Sequence, residues 1–123
     1  MDGSQLESIL GIAEKKSHHG ITFNKHRHLN VMMDGYSVSG SDVDECFISF
    51  VVGQDQFLVY SEMVCTPDEM GNLIRYLASM GAEITAVHNH WLQTVPNLMY
   101  IHWKMLGNPL HIAQAIAPVW QAL

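Results

Sequence analysis

Apolar and polar residues alternate in several parts of the chain, and this alternation predicts the strands of a sheet. Every second residue is apolar in the middle of residues 26–38, where Asp34-Gly35 marks a bend. Two runs rich in β-branched and aromatic residues follow at 46–52 and 57–65, and the turn-forming residues 53–56 separate them. This combination is typical of a β-hairpin.

Two further strands are predicted at residues 83–90 and 98–105, joined through a turn around Pro96. A short amphipathic helix is predicted over residues 5–16, because a Ser-x-x-Glu capping box precedes apolar residues at helical spacing. The polar residues 17–20 end it.

The start signals of two more helices lie later in the sequence. Thr66 is placed as an N-cap, with proline at the first helical position and Glu69 as the capping-box acid, so a helix is predicted up to residue 80. Asn108 caps a last helix, and we expect Pro118 to end or kink it.

The order of helix, three strands, helix, two strands and helix predicts an α+β fold with a mostly antiparallel sheet and helices packed on one face. The part from Phe57 onward has the strand-helix-strand-strand-helix order of a ferredoxin-like half. We interpret the chain as a single domain, 1–123. Within it, residues 1–20 form an N-terminal helix and linker, and residues 21–123 form the core.

Composition and charge disfavour nucleic acid and membrane partners. The chain is 48% apolar and 15% charged, with a formal net charge of −6 at pH 7, so we expect no basic surface for phosphates. No apolar run is long enough for membrane insertion, and the N-terminus lacks the pattern of a signal peptide. We therefore expect a cytoplasmic protein. The histidines at 18, 19, 26 and 28 are expected to be solvated.

Three further histidines interrupt strands that would otherwise be apolar. Side chains along a strand alternate between two faces, so His88 and His90 are predicted to share a face. A hairpin centred on Val95 would set His88 directly opposite His102, and a shift by two residues would oppose His90 and His102. Both registers put the three imidazoles on one face, whereas a shift by one residue would send His102 to the other face.

Imidazoles on adjacent strands predict a site for a divalent metal, because imidazole nitrogen is a common ligand of zinc and related ions. Glu62 interrupts the apolar run 57–65, and burying a carboxylate is costly without a charge partner. We interpret His88, His90 and His102 as ligands and Glu62 as a fourth ligand or as a base acting on bound water. Zinc is the first candidate, and if one coordination position stays open, a bound water would support hydrolysis. The spacing also fits manganese, iron or nickel as the ion. Alternatively, the three histidines are solvated and bind no metal.

From His28 to the C-terminus the chain resembles the LppY/LpqO family, a bacterial domain of unknown function. The resemblance is carried by the acidic strand position Glu62, the helix start with Thr66 and Glu69, and the strands with His88-Asn89-His90 and His102-Trp103. It implies the fold and the site but no substrate. Many members have two copies of the domain or a lipoprotein signal and are envelope proteins, whereas this sequence has one copy and no signal. A homodimer in place of the paired copies is therefore expected.

A non-catalytic binding or dimerisation module is the alternative function. The histidines would then line a small-molecule pocket or a dimer seam, with Trp91, Tyr100 and Trp103 as aromatic walls and Asn89 beside them. A histidine-lined seam would make association depend on pH.

Other chemistry is disfavoured by the placement of the candidate groups. The tripeptide H-N-H lies within one strand, whereas the nuclease motif of that name is spread over a hairpin and a helix. Cys46, Cys65 and Ser61 lie inside strand-like runs and are interpreted as core residues rather than nucleophiles or a disulfide framework.

Overall fold

The computed structural model describes residues 3–12, 14–16 and 20–123, and it confirms the predicted α+β class. Its elements in chain order are α1 (Gly3–Leu10), β1 (Glu14–Lys16), β2 (Gly20–His26), β3 (Met32–Met33), β4 (Tyr36–Ser37), β5 (Glu45–Val51), β6 (Phe57–Cys65), α2 (Pro67–Ser79), β7 (Glu83–His88), β8 (Thr94–Val95), β9 (Met99–Gly107) and α3 (Pro109–Ala122). Six strands form an antiparallel sheet in the order β1-β2-β5-β6-β9-β7, and a smaller sheet has the order β4-β3-β8.

The second half of the fold is a split βαβ unit. Strand β9 lies between β6 and β7 and is antiparallel to both, so β6 and β7 run in the same direction and α2 connects them. This arrangement matches the ferredoxin-like half predicted from the order of elements.

Helices cover one face of the six-stranded sheet. Ile48, Ser61 and Trp103 are paired directly across neighbouring strands, so they share a face. All three are buried, and α2 and α3 contact the strands that carry Ser61 and Trp103. We call this side the helix face.

The opposite side carries the row Phe47, Glu62 and His102, which are also paired directly. Tyr60, two residues from Glu62 on the same face, is 41% exposed. The segment before β5 covers one end of this side, where the hydroxyl of the fully buried Tyr100 donates to the Val43 carbonyl. We call this side the open face.

The N-terminal region differs from its prediction. Helix α1 ends at Leu10 because Gly11 has a φ of 72°, a left-handed conformation that terminates helices. The next residues, Glu14–Lys16, form an edge strand rather than helical turns. Residues 17–19, which include His18 and His19, lie outside the described residues. Strand β2, which the sequence pattern did not predict, pairs with β5 along its whole length.

The strand predicted over residues 26–38 is wrong for most of its length. Asn30 has a positive φ of 51°, which interrupts the extended backbone. Between residues 27 and 38 the only strands are β3 and β4. They pair with each other as the two sides of a tight turn in which Asp34 and Gly35 both have positive φ. The apolar alternation there instead places Val31 in the core.

Helix α2 begins as predicted, at the Thr66 N-cap, and α3 begins at Asn108, whose side chain accepts two backbone N–H groups. Helix α3 continues through Pro118, so the expectation that this proline ends it is wrong. The proline ring removes the N–H that the Gln114 carbonyl would accept, but Gln114 is exposed and its carbonyl is within reach of water. Burial of Trp120 holds the last turn in place. No helix in the described ranges is long and apolar enough to cross a membrane.

A buried arginine ties α2 to the segment after β2. The guanidinium of Arg27 donates to both carboxylate oxygens of Glu69, at 2.7 and 2.9 Å, and to the carbonyl of Val64 at 3.1 Å. This contact lowers the pKa of Glu69 to about 2. Since the backbone N–H of Thr66 also donates to Glu69, one carboxylate both caps α2 and neutralises the buried cation.

We expect Glu69→Gln to lower the free energy of unfolding at pH 7 by about 1–2 kcal/mol, because the buried Arg27 loses its charged partner. The pKa of Glu69 is depressed in the folded state, so its stabilisation is present above the unfolded value near 4.5 and is lost as pH falls towards about 2. Urea unfolding of wild type and variant should therefore differ at pH 7 and converge towards pH 2. An equal difference in unfolding free energy at both pH values would contradict this role of Glu69. The control is Glu83→Gln, which changes an exposed carboxylate.

Candidate metal centre

One strand pairing brings Glu62 and His102 together on the open face. In the β6–β9 pairing these two residues lie directly opposite each other. Their functional groups do not form a close ion pair, since His102 Nε2 lies 3.7 Å from Glu62 Oε2. The Glu62 side chain is 15% exposed and that of His102 is 30% exposed.

A β-bulge brings His88 to the same face. At the start of β7, Ile84 pairs with Trp103 on the helix face, but Ala86 pairs with His102, so Thr85 is an extra residue. Simple alternation would put Ile84, Ala86 and His88 on one face; the bulge moves Ala86 and His88 to the open face. His88 therefore pairs with Tyr100. His88 and His102 thus share a face, as both predicted registers required. Neither register occurs, since Ala86 rather than His88 or His90 lies opposite His102.

His90 joins the cluster from outside the sheet. Strand β7 ends at His88, two residues earlier than predicted, and His90 lies in a bend. Its ring stacks on that of His88, with centroids 4.4 Å apart and planes 3° apart. The His90 ring also stacks on that of Tyr100, with centroids 4.0 Å apart.

The three imidazoles and the carboxylate converge at one point. His88 Nε2 and His102 Nε2 are 2.9 Å apart, so one ring donates a hydrogen bond to the other. One ligand atom from each histidine lies within 4.8 Å of the others. Glu62 Oε1 lies 3.8 Å from His90 Nε2. This donor set of imidazole and carboxylate can hold a divalent metal.

The local electrostatics favour the neutral form of His102. Burial lowers its pKa below the ordinary value, and the fields of His88 and His90 lower it further, while the negative charge of Glu62 raises it. Metal ions bind the neutral imidazole, so a lowered pKa reduces competition from protons.

The other predicted site residues have different places. Trp91 and Tyr100 flank the histidines, and Asn89 shapes the turn: its Oδ1 accepts the backbone N–H of Trp91 at 2.8 Å and its Nδ2 donates to Asn97. Trp103 lies on the helix face with 1% exposure, so it is a core residue and does not line the site.

The candidate nucleophiles are core residues, as interpreted from the sequence. Burial raises the pKa of the Cys65 thiol to about 11, which leaves it protonated and unreactive. The Ser61 hydroxyl donates to the carbonyl of Phe47 on the adjacent strand.

The sequence patterns did not identify residues 39–44 as part of the site. The Asp42 carbonyl accepts from Trp91 Nε1 at 2.7 Å, and the Val43 carbonyl accepts from the Tyr100 hydroxyl at 2.7 Å. Burial raises the pKa of Tyr100 to about 12, so the hydroxyl remains a donor. Only the turn-forming residues 39–42 signalled this loop in the sequence, because carbonyl contacts leave no side-chain pattern.

Comparison with known proteins gives one match. The family described as Domain of Unknown Function (DUF1259) matches residues 4–122. Neither the curated proteins nor the solved structures contain a match. The narrower resemblance to the LppY/LpqO family stays a prediction.

The face assignment is testable by exchanging two neighbours. The double variant Val87→His/His88→Val keeps the composition but moves one imidazole to the helix face, where position 87 is 41% exposed. We expect it to fold, as judged by circular dichroism, and to lose binding of added zinc. The single variant Val87→His keeps His88 and should bind zinc like wild type. Retained binding in the double variant would contradict the placement of His88.

Proposed function

The chain belongs to the domain family of unknown function DUF1259, and we propose that it binds a divalent metal, zinc first, through His88, His90 and His102. The observation that carries this proposal is the convergence of three imidazoles, whose ligand atoms lie within 4.8 Å of one another beside a largely buried carboxylate. Three histidines with one carboxylate or water are a common ligand set of zinc.

The distances fit an ion of this size. Two ligands of a tetrahedral zinc lie about 3.3 Å apart, given bonds of about 2.0–2.1 Å. The His88 and His102 nitrogens are 2.9 Å apart, and the Glu62 oxygens are 3.7 and 3.8 Å from the His102 and His90 nitrogens. These separations bracket the required one. The histidine ligand atoms lie within 4.8 Å of one another, so the side chains would have to approach by up to about 1.5 Å to share one ion.

Glu62 is either the fourth ligand or a general base. Zinc lowers the pKa of a coordinated water to about 7 and so supplies a nucleophile at neutral pH. In the second role, Glu62 accepts a proton from the attacking water, from a carboxylate that faces both His90 and His102. Hydrolysis is therefore the reaction class that we propose.

The resemblance to the LppY/LpqO family supports the same assignment. Glu62, His88, His90 and His102 carry that resemblance in the sequence, and the fold brings these four residues together from β6, β9 and the end of β7.

We expect the purified, tag-free protein to contain about one divalent ion per chain by elemental analysis, with zinc predominant. His88→Ala and His102→Ala should lose most of it, because two-coordinate protein sites bind weakly. His111→Ala, an exposed histidine on α3, is the matched control and should keep the ion. Absence of metal after incubation with zinc would refute the proposal and favour a binding pocket or a dimer seam.

Glu62→Gln separates the two roles of the carboxylate. If Glu62 is a ligand, zinc affinity should fall by about 10-fold or more. If it is a base, the variant should keep its zinc and lose about 100-fold or more of its rate against activated esters or phosphoesters. Unchanged affinity together with unchanged hydrolysis would remove Glu62 from the site. Glu83→Gln is the control.

A further inference from the structure

His90 requires a support that the sheet does not provide. Strand register fixes His88 and His102, but His90 lies beyond the end of β7. Its neighbours in the chain are held instead. Asn89 closes a turn by accepting the backbone N–H of Trp91, and its own amide donates to Asn97 at 2.9 Å.

The loop of residues 39–44 holds both groups that flank His90. Trp91, the next residue in the chain, donates from its indole N–H to the Asp42 carbonyl. Tyr100, on whose ring His90 stacks, donates its hydroxyl to the Val43 carbonyl. Two adjacent carbonyls of one loop therefore fix the backbone beside His90 and the ring beneath it.

The loop is itself fixed by a largely buried carboxylate. Asp44, whose side chain is 4% exposed, accepts from the backbone N–H of Gly40 and from the hydroxyl of Ser39, each at 3.0 Å. Its other oxygen lies 2.7 Å from His26 Nε2. These contacts give the two carbonyls a defined position, as a support outside the ligands requires.

We infer that Trp91 and Tyr100 are positioning residues that hold His90 for the metal, and that loop 39–44, through them, sets the metal affinity. This inference rests on the proposed function. The indole and the hydroxyl touch carbonyl groups and not the ligand nitrogens, so they act through neighbouring rings. Trp91 acts through His90, and Tyr100 acts through His90 and, to a smaller extent, through His88, which lies opposite it across the strands.

The test uses variants that remove one donor and keep the aromatic ring. Trp91→Phe and Tyr100→Phe should each weaken zinc binding by about 10-fold or more in competition with a chromophoric chelator. They should also change the visible spectrum of the cobalt-substituted protein. Tyr76→Phe is the matched control, because the Tyr76 hydroxyl donates to the Ala115 carbonyl between α2 and α3. This control should lose stability without losing affinity.

A double-mutant cycle separates positioning from general destabilisation. In a His90→Ala background, Trp91→Phe should have little further effect on zinc affinity, because the residue through which it acts is gone. Tyr100→Phe should keep only a minor effect there, through His88. The full loss in that background, or wild-type affinity in both single variants, would overturn the inference and leave the proposed function intact.

A measurement on the metal-free protein distinguishes failure of the proposed function from failure of the positioning inference. If wild type binds no zinc, the proposed function fails. The positioning of His90 is then judged by the nuclear Overhauser effect between the rings of His90 and Tyr100 in the metal-free protein. Its presence in wild type and loss in Trp91→Phe would support positioning, and an unchanged effect in Trp91→Phe would overturn it.

Discussion

Strand β9 pairs with both β6 and β7, and its two registers decide what the open face presents. The pairing with β6 sets Glu62 against His102. The pairing with β7 contains an extra residue, Thr85, which turns Ala86 and His88 from the helix face to the open face. Strand β7 is the edge of the sheet, where a bulge disrupts only one ladder of hydrogen bonds. The place of His88 in the histidine cluster depends on this one-residue irregularity.

The cluster is costly for folding. A largely buried carboxylate and three rings that can gain a proton stand where apolar side chains would pack without penalty. His88 and His102 are close enough that protonating both would place two positive charges about 3 Å apart, which is strongly unfavourable at low dielectric. Exceptions to local folding rules are concentrated at functional sites. A metal ion offsets this cost, since it neutralises Glu62 and uses the neutral rings as ligands.

Much of this arrangement could be predicted from residue patterns, and the reasons for the failures are physical. Period-two alternation found β5, β6 and β9. It put the three histidines on one face only if the register of the last hairpin was even, because an odd shift sends every side chain of one strand to the other face. Capping residues found α2 and α3. The bulge at Thr85 arises from the pairing of β7 with β9, and the bend at His90 lies beside a turn that Asn89 closes. Period-two alternation along the sequence encodes neither. His26, which the pattern placed among solvated residues, contacts Asp44 through the fold.

The ligand set itself is the most direct test of the proposed metal centre. X-ray absorption at the zinc edge reports the number, type and distance of the ligands in the intact protein. A centre built on the open face predicts three imidazole nitrogens at about 2.0–2.1 Å, with an oxygen from Glu62 or water completing the shell. A shell with sulfur, or one with fewer than three imidazoles, would contradict a site formed by His88, His90 and His102.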